Sequence, residues 1–453
     1  MTQETIIAPA TPSGEGGLAV IRLSGPKAEY YLKALFRPKR STDQLESHRL
    51  YLGHLSDATG SAVDEVMAVV MRAPHSFTRE DVVEVHCHGG PAVVRDILDQ
   101  FLRQGARIAH PGEFTQRAFI NGRLDLSQAE AVADLIHARS SAAARIALNQ
   151  LQGKLARFVE GVRQQLVSIL SHVEVQIDFS DQDIEPPDFT SAVSEVEEIW
   201  SRLDSLLDSF DSGRMLHEGV NILILGKPNV GKSSLLNALL GEARAIVTDV
   251  AGTTRDTIEE SLVLHEVPVR LIDTAGIRQT NDPVELEGVR RARDKALSAD
   301  LVLLVVDGSS SLDADDRLAL TACDPERLLL VVNKKDRGQV AFAAPFAGLE
   351  AVAVSARRGD GLDDLQLRIR DMLFGSHPAA DEHLLIYERR HKDSLLTAVR
   401  ALERFLSATR ELLPPEFLAL ELRESIAALG AISGASVTEE VLSQIFAKFC
   451  IGK

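Results

Sequence analysis

The feature that most constrains the fold of this chain is the stretch "GKPNVGKSS" at residues 226–234, which matches the pattern G-x-x-x-x-G-K-[ST]. The apolar run "NILIL" precedes it, and the helical sequence "SSLLNALLG" completes it. In a strand–loop–helix of this kind the glycines let backbone N–H groups curl around phosphates, and the positive end of the helix faces the anion. A glycine-rich turn that binds nothing has the same local pattern, so the decision depends on the motifs that follow.

Contacts to phosphate and Mg²⁺ are predicted in this loop and in the next two motifs. Lys232 is expected to reach the β- and γ-phosphates, and the Ser233 hydroxyl is expected to ligate Mg²⁺. The motif "GTTRD" offers Thr254 as a second contact to Mg²⁺ and to the γ-phosphate. The motif "DTAG" ends a predicted strand, which would place Asp273 beside the metal and the Gly276 N–H beside the γ-phosphate.

Two further motifs, "NKKD" and "SAR", predict which base is bound. Asp336 can accept two hydrogen bonds from the N1–H and 2-amino groups of guanine, which adenine cannot offer. A site built around such an acceptor rejects the analogue that lacks the donors. The Ala356 N–H could cap the base edge. Because five elements occur in this order and context, the sequence predicts GTP rather than ATP.

The residue after "DTAG" is Ile277, which can neither orient a water molecule nor supply positive charge. Phosphoryl transfer needs both. Asn229, in the phosphate loop, is a neutral acceptor where a monovalent cation could sit, and carbonyl oxygens of "IVTDVAGTT" could complete its shell, since hard cations take oxygen ligands. The nearest downstream carboxylates for the water are Asp282 and Glu285. For each of them a solvated surface acid is the alternative.

The predicted fold class is multidomain, α/β and α. Short β-rich runs in 1–118 predict a compact α/β domain. Over 148–177 apolar residues recur with a mean spacing of about 3.6, the α-helical period. In 216–375 apolar runs alternate with helices, which indicates a mainly parallel sheet. We favour one helical domain formed by 119–215 and 376–453, with the α/β domain inserted between them; two separate helical domains are the alternative.

The N-terminal run "VVEVHCHGG" alternates apolar and polar residues if it is a strand. One face of that strand would then carry three polar side chains: Glu84, His86 and His88. Such a face could bind a metal ion or a polar ligand. Arg22 lies in the apolar run "LAVIRLSG", where a charged side chain needs a partner. An internal salt bridge and binding of an anionic ligand both satisfy that need.

Composition limits the functional classes. Lys and Arg number 49 against 66 Asp and Glu, so the net charge is −17. That charge opposes indiscriminate binding of nucleic acid, so a nucleic-acid role needs a local basic patch or a basic partner. The basic cluster "ERRHK" at 388–392 fits a solvated helix face better than a tRNA contact.

The cellular setting is predicted from the cysteines and the hydropathy. The three cysteines are few, odd in number and widely spaced: Cys87, Cys323 and Cys450. They indicate reduced thiols in a cytoplasmic protein. No apolar run approaches the roughly 18–20 residues of a membrane-spanning helix, and no signal-peptide pattern is present.

Several longer motifs resemble the MnmE (TrmE) family of bacterial tRNA-modification GTPases over essentially the whole chain. They are "ATPSGEGGLAVIRLSG", "SFTREDVVEVHCHGG", "PGEFTQRAFINGRLDLSQAEAVADLI", "AIVTDVAGTTRD", "DTAGIRQTNDPVELEGVRRA" and "FCIGK". The resemblance implies an N-terminal folate-binding and dimerising domain, a helical domain from two chain segments, and an inserted Ras-like P-loop GTPase domain.

The resemblance also implies a function. The family works with the flavoprotein MnmG (GidA), in a heterotetramer, to install an aminomethyl-type (carboxymethylaminomethyl) group on C5 of the tRNA wobble uridine. The one-carbon unit comes from 5,10-methylene- or 5-formyl-tetrahydrofolate, and FAD enters only through the partner. GTP hydrolysis with Mg²⁺ is required. The N-terminal domains form a homodimer, and K⁺ stabilises a transient pairing of the GTPase domains.

Site residues follow from the matching motifs. The resemblance implies GTP contacts by the following residues: Asn229, Val230, Gly231, Lys232, Ser233, Ser234, Thr248, Asp249, Val250, Ala251, Gly252, Thr253, Thr254, Asp273, Thr274, Ala275, Gly276, Asn333, Lys334, Lys335, Asp336, Ser355, Ala356 and Arg357. Mg²⁺ is assigned to Ser233 and Thr254, and K⁺ to the set Asn229, Thr248, Val250 and Thr253. Folate is assigned to Arg22, Glu84, Arg123 and Lys453. The water-orienting carboxylate falls on Glu285, and Cys450 is a candidate participant in the chemistry.

Two other classes of function remain open from sequence. A regulatory GTPase could bind ribosomal RNA or an assembly intermediate, as relatives of this GTPase domain do. A structural switch could bind GTP without turning it over. Folate binding and turnover in K⁺ and Na⁺ buffers distinguish these classes from a tRNA-modifying enzyme.

Overall fold

The computed structural model describes residues 4–40, 44–178, 190–242, 259–265, 267–273, 296, 299–321, 323–338, 346, 348–374, 384–435 and 437–453, with the backbone alone at 242, 259–261 and 273. The chain divides into two compact units. The first unit comprises Met1–His137, Ala147–Trp200 and Ser394–Lys453, and the second comprises Ala138–Ile146 and Ser201–Asp393. The domain boundaries given above stay predictions.

The first unit contains a mostly antiparallel sheet. Within its described residues seven strands lie in the order β3-β4-β5-β6-β2-β1-β7. They are β1 (Ile6–Pro9), β2 (Gly16–Ser24), β3 (Phe36–Pro38), β4 (Tyr51–Ser56), β5 (Ala62–Met71), β6 (Val82–Gly89) and β7 (Arg107–Ile108). All neighbours are antiparallel except β1 and β7, which run parallel.

The two faces of this sheet have different environments. Val83, Val85 and Cys87 of β6 are buried in a cluster that includes Ile97 and Phe101 of the helix Pro91–Arg103. The intervening residues of β6 are half-buried or exposed. The predicted alternation is therefore confirmed, and the polar face lies on the side of the sheet away from that helix.

The helices in chain order are α1 (Ala28–Leu35), α2 (Pro91–Arg103), α3 (Glu113–Ile120), α4 (Leu126–His137), α5 (Ser141–Leu151), α6 (Lys154–Asp178), α7 (Thr190–Asp208), α8 (Phe210–Glu218), α9 (Lys232–Glu242), α10 (Ala314–Thr321), α11 (Leu362–Phe374), α12 (Arg389–Arg410), α13 (Pro415–Ser433) and α14 (Glu439–Phe446). In the first unit α6 packs along α13. These two helices come from the two segments flanking the α/β block, which fits one helical domain built from both.

The helical period over 148–177 does not produce one helix. α5 ends at Leu151 and α6 begins at Lys154. Between them Gly153 has a φ of 75°, in the left-handed region that ends a right-handed helix. The two helices treat this apolar period differently. In α5, Leu148 is 43% exposed and Leu151 is half-buried, whereas α6 buries its apolar stripe, which includes Leu155 and Leu166.

The second unit contains a mainly parallel sheet. Six strands in its described residues lie in the order β13-β12-β11-β8-β10-β9. They are β8 (Val220–Leu225), β9 (Glu259–Leu264), β10 (Val267–Asp273), β11 (Leu301–Asp307), β12 (Leu328–Asn333) and β13 (Ala351–Ala353). Five run parallel, and β9 pairs antiparallel with β10 at the edge.

This sheet is buried on both faces, as expected for parallel strands covered by helices. Along β8, Ile222 and Ile224 enter one apolar cluster, whereas Leu223 and Leu225 enter another. The five predicted strands are confirmed. The edge strand β9 was missed, because a short hairpin partner has no continuous apolar run.

Candidate functional site

The phosphate loop joins β8 to α9, as the motif predicts. Lys232 is the first residue of α9, and its Nζ donates to the carbonyl oxygens of Gly226, at 2.8 Å, and Lys227, at 2.9 Å. Gly231 has a φ of 100°. A Cβ at that position would overlap the Asn333 side-chain amide, so both the backbone angle and the close approach require glycine.

Asn333, at the end of β12, connects three of the predicted motifs. Its Nδ2 donates to the Val230 carbonyl at 2.9 Å, inside the phosphate loop. Its Oδ1 accepts from the backbone N–H of Lys334 at 2.8 Å and of Ala356 at 3.1 Å. The side chain is 3% exposed. A single buried amide thus brings the phosphate loop, "NKKD" and "SAR" together.

Lys334 adds a second link to the phosphate loop. Its Nζ donates to the Asn229 carbonyl at 2.9 Å and to Asp307 Oδ2 at 2.5 Å. Burial would raise the pKa of Asp307, but hydrogen bonds from Lys334 and Ser309 outweigh it and lower that pKa to about 2. Asp307, the last residue of β11, was missed in the sequence because its partner follows the next strand.

Asp336, the predicted guanine acceptor, lies next to the third motif. Ser355 Oγ donates to its Oδ1 at 2.8 Å, and Ser355 is fully buried. This hydrogen bond is the main cause of a lowered pKa of Asp336. The carboxylate is therefore ionised and oriented, as an acceptor for N–H donors must be.

A further ion-pair cluster holds the phosphate loop from its other end. Lys227 Nζ lies 2.7 Å from Asp313 Oδ2 and 2.8 Å from Asp316 Oδ2. Asp316, in the first turn of α10, is 1% exposed. The hydrogen bond from Lys227 lowers the pKa of Asp313 to about 2. The sequence pattern gave no signal for this cluster, since Lys227 occupies a variable position of the motif.

The other predicted GTP contacts fall into two groups. The first group is exposed and comprises Ser233, Ser234, Lys335 and Arg357. The second lies outside the described residues, or has an undescribed side chain in the case of Asp273: Thr248, Asp249, Val250, Ala251, Gly252, Thr253, Thr254, Asp273, Thr274, Ala275 and Gly276. Glu285, the predicted water-orienting carboxylate, also lies outside the described residues. Their roles stay predictions.

A second candidate site lies on the polar face of the first unit's sheet. The β2–β6 register places Arg22 opposite Glu84. Arg22 Nη2 lies 2.8 Å from Glu84 Oε1, and Arg22 Nε donates to the same oxygen at 2.9 Å. The side chains are 16% and 18% exposed, so a ligand can reach them. His86 Nε2 lies 3.5 Å from Glu84 Oε2 on the same face.

Two segments distant in sequence meet this pair. The Arg22 Cζ lies 5.5 Å from the centroid of the Phe77 ring, and the Arg123 Cζ lies 4.8 Å from the same centroid. Partial burial lowers the pKa of Arg123, and the positive charges of Arg79 and Arg22 lower it further. Phe77 and Arg79 were not identified from the sequence as parts of a site.

The C-terminal tail completes the cluster. The Gly112 N–H donates to the Cys450 carbonyl at 3.4 Å, and a Cβ at Gly452, where φ is 94°, would overlap the Pro9 carbonyl. Burial lowers the pKa of Lys453, and so does the charge of nearby Arg22. The tail is therefore tied down, and it brings Lys453 to the Arg22–Glu84 pair.

The Cys450 side chain is exposed, with Sγ 3.8 Å from His137 Nε2. Burial raises the pKa of Cys87 and of Cys323 to about 11. Cys450 is the exposed thiol of the three, and its part in the chemistry stays a prediction.

Among the described residues, no group of three or more His, Cys, Asp or Glu side chains is arranged to hold a metal ion. His88, which the sequence placed among possible ligands, pairs with Asp64 at 2.7 Å. No described helix is long and apolar enough to cross a membrane.

Comparisons with known proteins cover the whole chain. The family model of the MnmE helical domain matches residues 126–450, and that of the GTP-binding protein TrmE N-terminus matches residues 5–123. The tRNA modification GTPase MnmE of Syntrophotalea carbinolica is 51% identical over 455 residues, covering 100% of each chain. That of Geobacter sulfurreducens is 47% identical over 454 residues, covering 100% of this chain and 99% of the relative.

Among solved structures, the G domain of the T. maritima FeoB iron transporter is 25% identical, with a TM-score of 0.26, covering 34% of this chain and 98% of its own. The full-length relatives and the helical-domain model, which spans well over half of the sequence, decide the family. The chain belongs to the MnmE (TrmE) family of tRNA modification GTPases.

Proposed function

We propose that this GTPase, together with the flavoprotein MnmG (GidA), installs an aminomethyl-type group on C5 of the wobble uridine of tRNA, with a tetrahydrofolate as the one-carbon source. Membership of the family supports tRNA modification by a GTPase. The observation that carries the folate assignment is the meeting of Arg22, Glu84, Arg123 and Lys453 from four distant chain segments.

The chemistry of this cluster suits a folate. Glu84 is paired with Arg22, and an ionised carboxylate can accept both N–H donors of an aminopyrimidinone edge. Lys453 and Arg123 supply positive charge for the carboxylates of the same ligand. The Phe77 ring lies beside both the Arg22 and the Arg123 guanidinium groups. When bound, the folate would supply the one-carbon unit, while these residues hold and orient it.

For GTP hydrolysis we propose that Mg²⁺ is held by the hydroxyls of Ser233 and Thr254. The donor set is oxygen, which suits a hard cation. Lys232, now hydrogen-bonded to loop carbonyls, would turn its ammonium to the β- and γ-phosphates. Lys232 and Ser233 begin α9 at the end of the phosphate loop, and Thr254 belongs to the motif "GTTRD" further along the chain.

Two features would supply the water orientation and the positive charge that Ile277 cannot. Glu285 orients the attacking water, and K⁺ bound near Asn229 would contribute the positive charge. The Asn229 backbone has a φ of 66°, and its carbonyl accepts a hydrogen bond from Lys334 Nζ at 2.9 Å. The proposed K⁺ ligands also include residues outside the described part: Thr248, Val250 and Thr253.

The net charge of the chain and its membership of the MnmE (TrmE) family support the proposed partners. A net charge of −17 fits a protein that shares its tRNA contacts with a basic partner. We assign that role to MnmG in a heterotetramer that also carries the FAD. The N-terminal domain forms the homodimer, and the GTPase domains pair transiently around K⁺.

Titration of the full chain with 5-formyl-tetrahydrofolate in a calorimeter tests the folate assignment. We expect saturable binding, and Glu84→Gln should weaken it by roughly tenfold or more, because a hydrogen bond to a charged group contributes about 1.5–3 kcal/mol. Glu403→Gln, on the exposed side of α12, is the matched control. No binding to the wild type at high micromolar concentration would remove folate from the function.

A second measurement tests the GTPase mechanism separately. Turnover of GTP is compared in K⁺ and Na⁺ buffers of equal ionic strength. We expect faster turnover in K⁺; equal turnover in both would exclude K⁺ as the source of the missing charge, and negligible turnover in both would favour a structural switch.

A further inference from the structure

The second candidate site contains more positively charged side chains than its carboxylates neutralise. Four cationic side chains lie around it. Arg22 and Arg123 lie against the Phe77 ring, Arg79 reaches the Asn121 carbonyl two residues from Arg123, and Lys453 lies near Arg22. Glu84 neutralises Arg22. Across the described ranges no carboxylate side chain lies within ion-pair distance of the other three. Like charges held together without a counter-ion are unfavourable, so this arrangement is suited to a ligand with several negative charges.

Arg79 and Arg123 are held by reciprocal backbone contacts. Arg123 Nη1 donates to the Phe77 carbonyl at 2.9 Å, and Arg79 Nη1 donates to the Asn121 carbonyl at 3.0 Å. Each arginine therefore reaches from its own segment to a residue two positions from the other arginine. Asn121 Nδ2 closes the link by donating to the Thr78 carbonyl at 2.6 Å.

This arrangement leaves donors for a ligand. A guanidinium has five N–H groups, and each reciprocal contact uses one of them. Arg79 adopts a φ of 59°, in the left-handed region, so the turn presents this side chain at a cost in backbone energy. A guanidinium binds a carboxylate or a phosphate through two parallel hydrogen bonds, and the carboxylate is the one of these groups that a folate carries.

The cations also extend from the inside of the site to its surface. The Arg22 side chain is 16% exposed beside Glu84, whereas Arg123 and Arg79 are both exposed. A ligand that places its polar ring at Glu84 and extends a chain of carboxylates towards solvent would meet first the half-buried Arg22 and then the exposed Arg123 and Arg79. The pterin ring and the glutamyl tail of a folate have these two properties.

We propose that Arg79 and Arg123 bind the carboxylates of the folate's glutamyl tail, and that Arg79 makes the site prefer folates that carry several glutamyl residues. This inference rests on the folate assignment made above. It adds Arg79 as a specificity-determining residue, and it names the polyglutamylated cofactor as the preferred class of ligand.

The test compares two ligands and three proteins. Dissociation constants for monoglutamyl and triglutamyl 5-formyl-tetrahydrofolate are measured by calorimetry with the wild type, Arg79→Gln and Arg103→Gln. Arg103 is an exposed residue in the last turn of α2, on the helix that covers the other face of the sheet. Glutamine keeps an N–H donor for the Asn121 carbonyl but has no charge, and melting curves check that the fold is unchanged.

We expect the triglutamyl ligand to bind the wild type about fivefold more tightly, the effect of one added exposed ion pair at the upper end of its range. In Arg79→Gln the ratio of the two constants should fall to near one, while Arg103→Gln keeps the wild-type ratio. The preference should weaken as salt concentration rises, because exposed charges are screened.

The outcomes distinguish folate binding itself from the contact between Arg79 and the glutamyl tail. If neither ligand binds the wild type, the folate assignment is wrong, and the inference about Arg79 is then wrong as well. If both bind the wild type equally, or Arg79→Gln keeps the preference, the tail contact is wrong while the folate assignment stands. If Arg79→Gln weakens tRNA binding and leaves the ligand ratio unchanged, Arg79 binds phosphate of the nucleic acid and the inference is overturned.

Discussion

Replacing Glu113 by glutamine is expected to lower the free energy of unfolding of the first unit by about 3 kcal/mol at pH 7. Glu113 Oε1 accepts from Arg107 at 2.7 Å and Arg117 at 2.9 Å, and its Oε2 accepts from Arg107 at 3.0 Å and the His110 N–H at 2.9 Å. The residue is 8% exposed. Burial alone would raise the pKa of Glu113, but these hydrogen bonds lower it from 4.5 to about 2.

The magnitude follows from that pKa. One pKa unit corresponds to about 1.4 kcal/mol, so lowering the pKa from 4.5 to about 2 stabilises the folded state by about 3 kcal/mol. Because the folded pKa lies below the unfolded one, this contribution is present above pH 4.5 and is lost as pH falls through about 2. By pH 3 about half of the contribution should be gone.

The assay is urea unfolding followed by the fluorescence of Trp200, the single tryptophan of the chain, which belongs to the first unit. Wild type, Glu113→Gln and the exposed control Glu403→Gln are compared between pH 7 and pH 3. The difference between wild type and Glu113→Gln should shrink as pH falls, while the control follows the wild type. A Glu113 variant within about 0.5 kcal/mol of the wild type at pH 7, the usual range for surface substitutions, would refute the electrostatic reasoning.

Other variants test the two sites. Glu285→Ala should abolish most K⁺-stimulated turnover with nearly unchanged GTP affinity, measured with a fluorescent GTP analogue and with Asp282→Ala as control; normal turnover would remove Glu285 from the mechanism. Asp316→Asn should weaken GDP binding several-fold by loosening Lys227, and unchanged affinity would show that the phosphate loop does not need this ion pair. Gly452→Ala should displace the tail from the first unit and lower folate affinity, and an affinity equal to that of the wild type would contradict the placement of the tail.

The parts of the fold that can be predicted from the sequence are those that depend on residues close together along the chain. The strand–loop–helix around Gly231 is found where the motif predicts it, because backbone angles and helix starts depend on local residue type. The five parallel strands were visible because strands buried on both faces read as continuous apolar runs. The helix break at Gly153 was not found, since the apolar period continues across it.

The contacts that position the sites depend instead on which strands are neighbours. Asp307 ends β11 and Lys334 follows the adjacent parallel strand β12, so their ion pair exists only because these two strands are neighbours. Lys227 and Asp316 are 89 residues apart and meet where the phosphate loop approaches α10. Neither pair has a spacing or composition that distinguishes it from ordinary surface charges, so the fold must be known first.

Of the two interpretations of Arg22 that the sequence leaves open, the internal salt bridge is found in the fold, and binding of an anionic ligand stays a prediction. The strand register gives Arg22 the internal partner Glu84, as one interpretation requires. A partly buried ion pair contributes little net stability, because desolvation offsets the attraction, so stability alone does not account for placing the pair here. The pair lies instead beside the Phe77 ring and Lys453, and both members remain accessible. In the folate proposal each member would fix the orientation of the other before the ligand arrives, which would lower the entropic cost of binding. On that proposal, the internal salt bridge holds Arg22 in place to bind the anionic ligand.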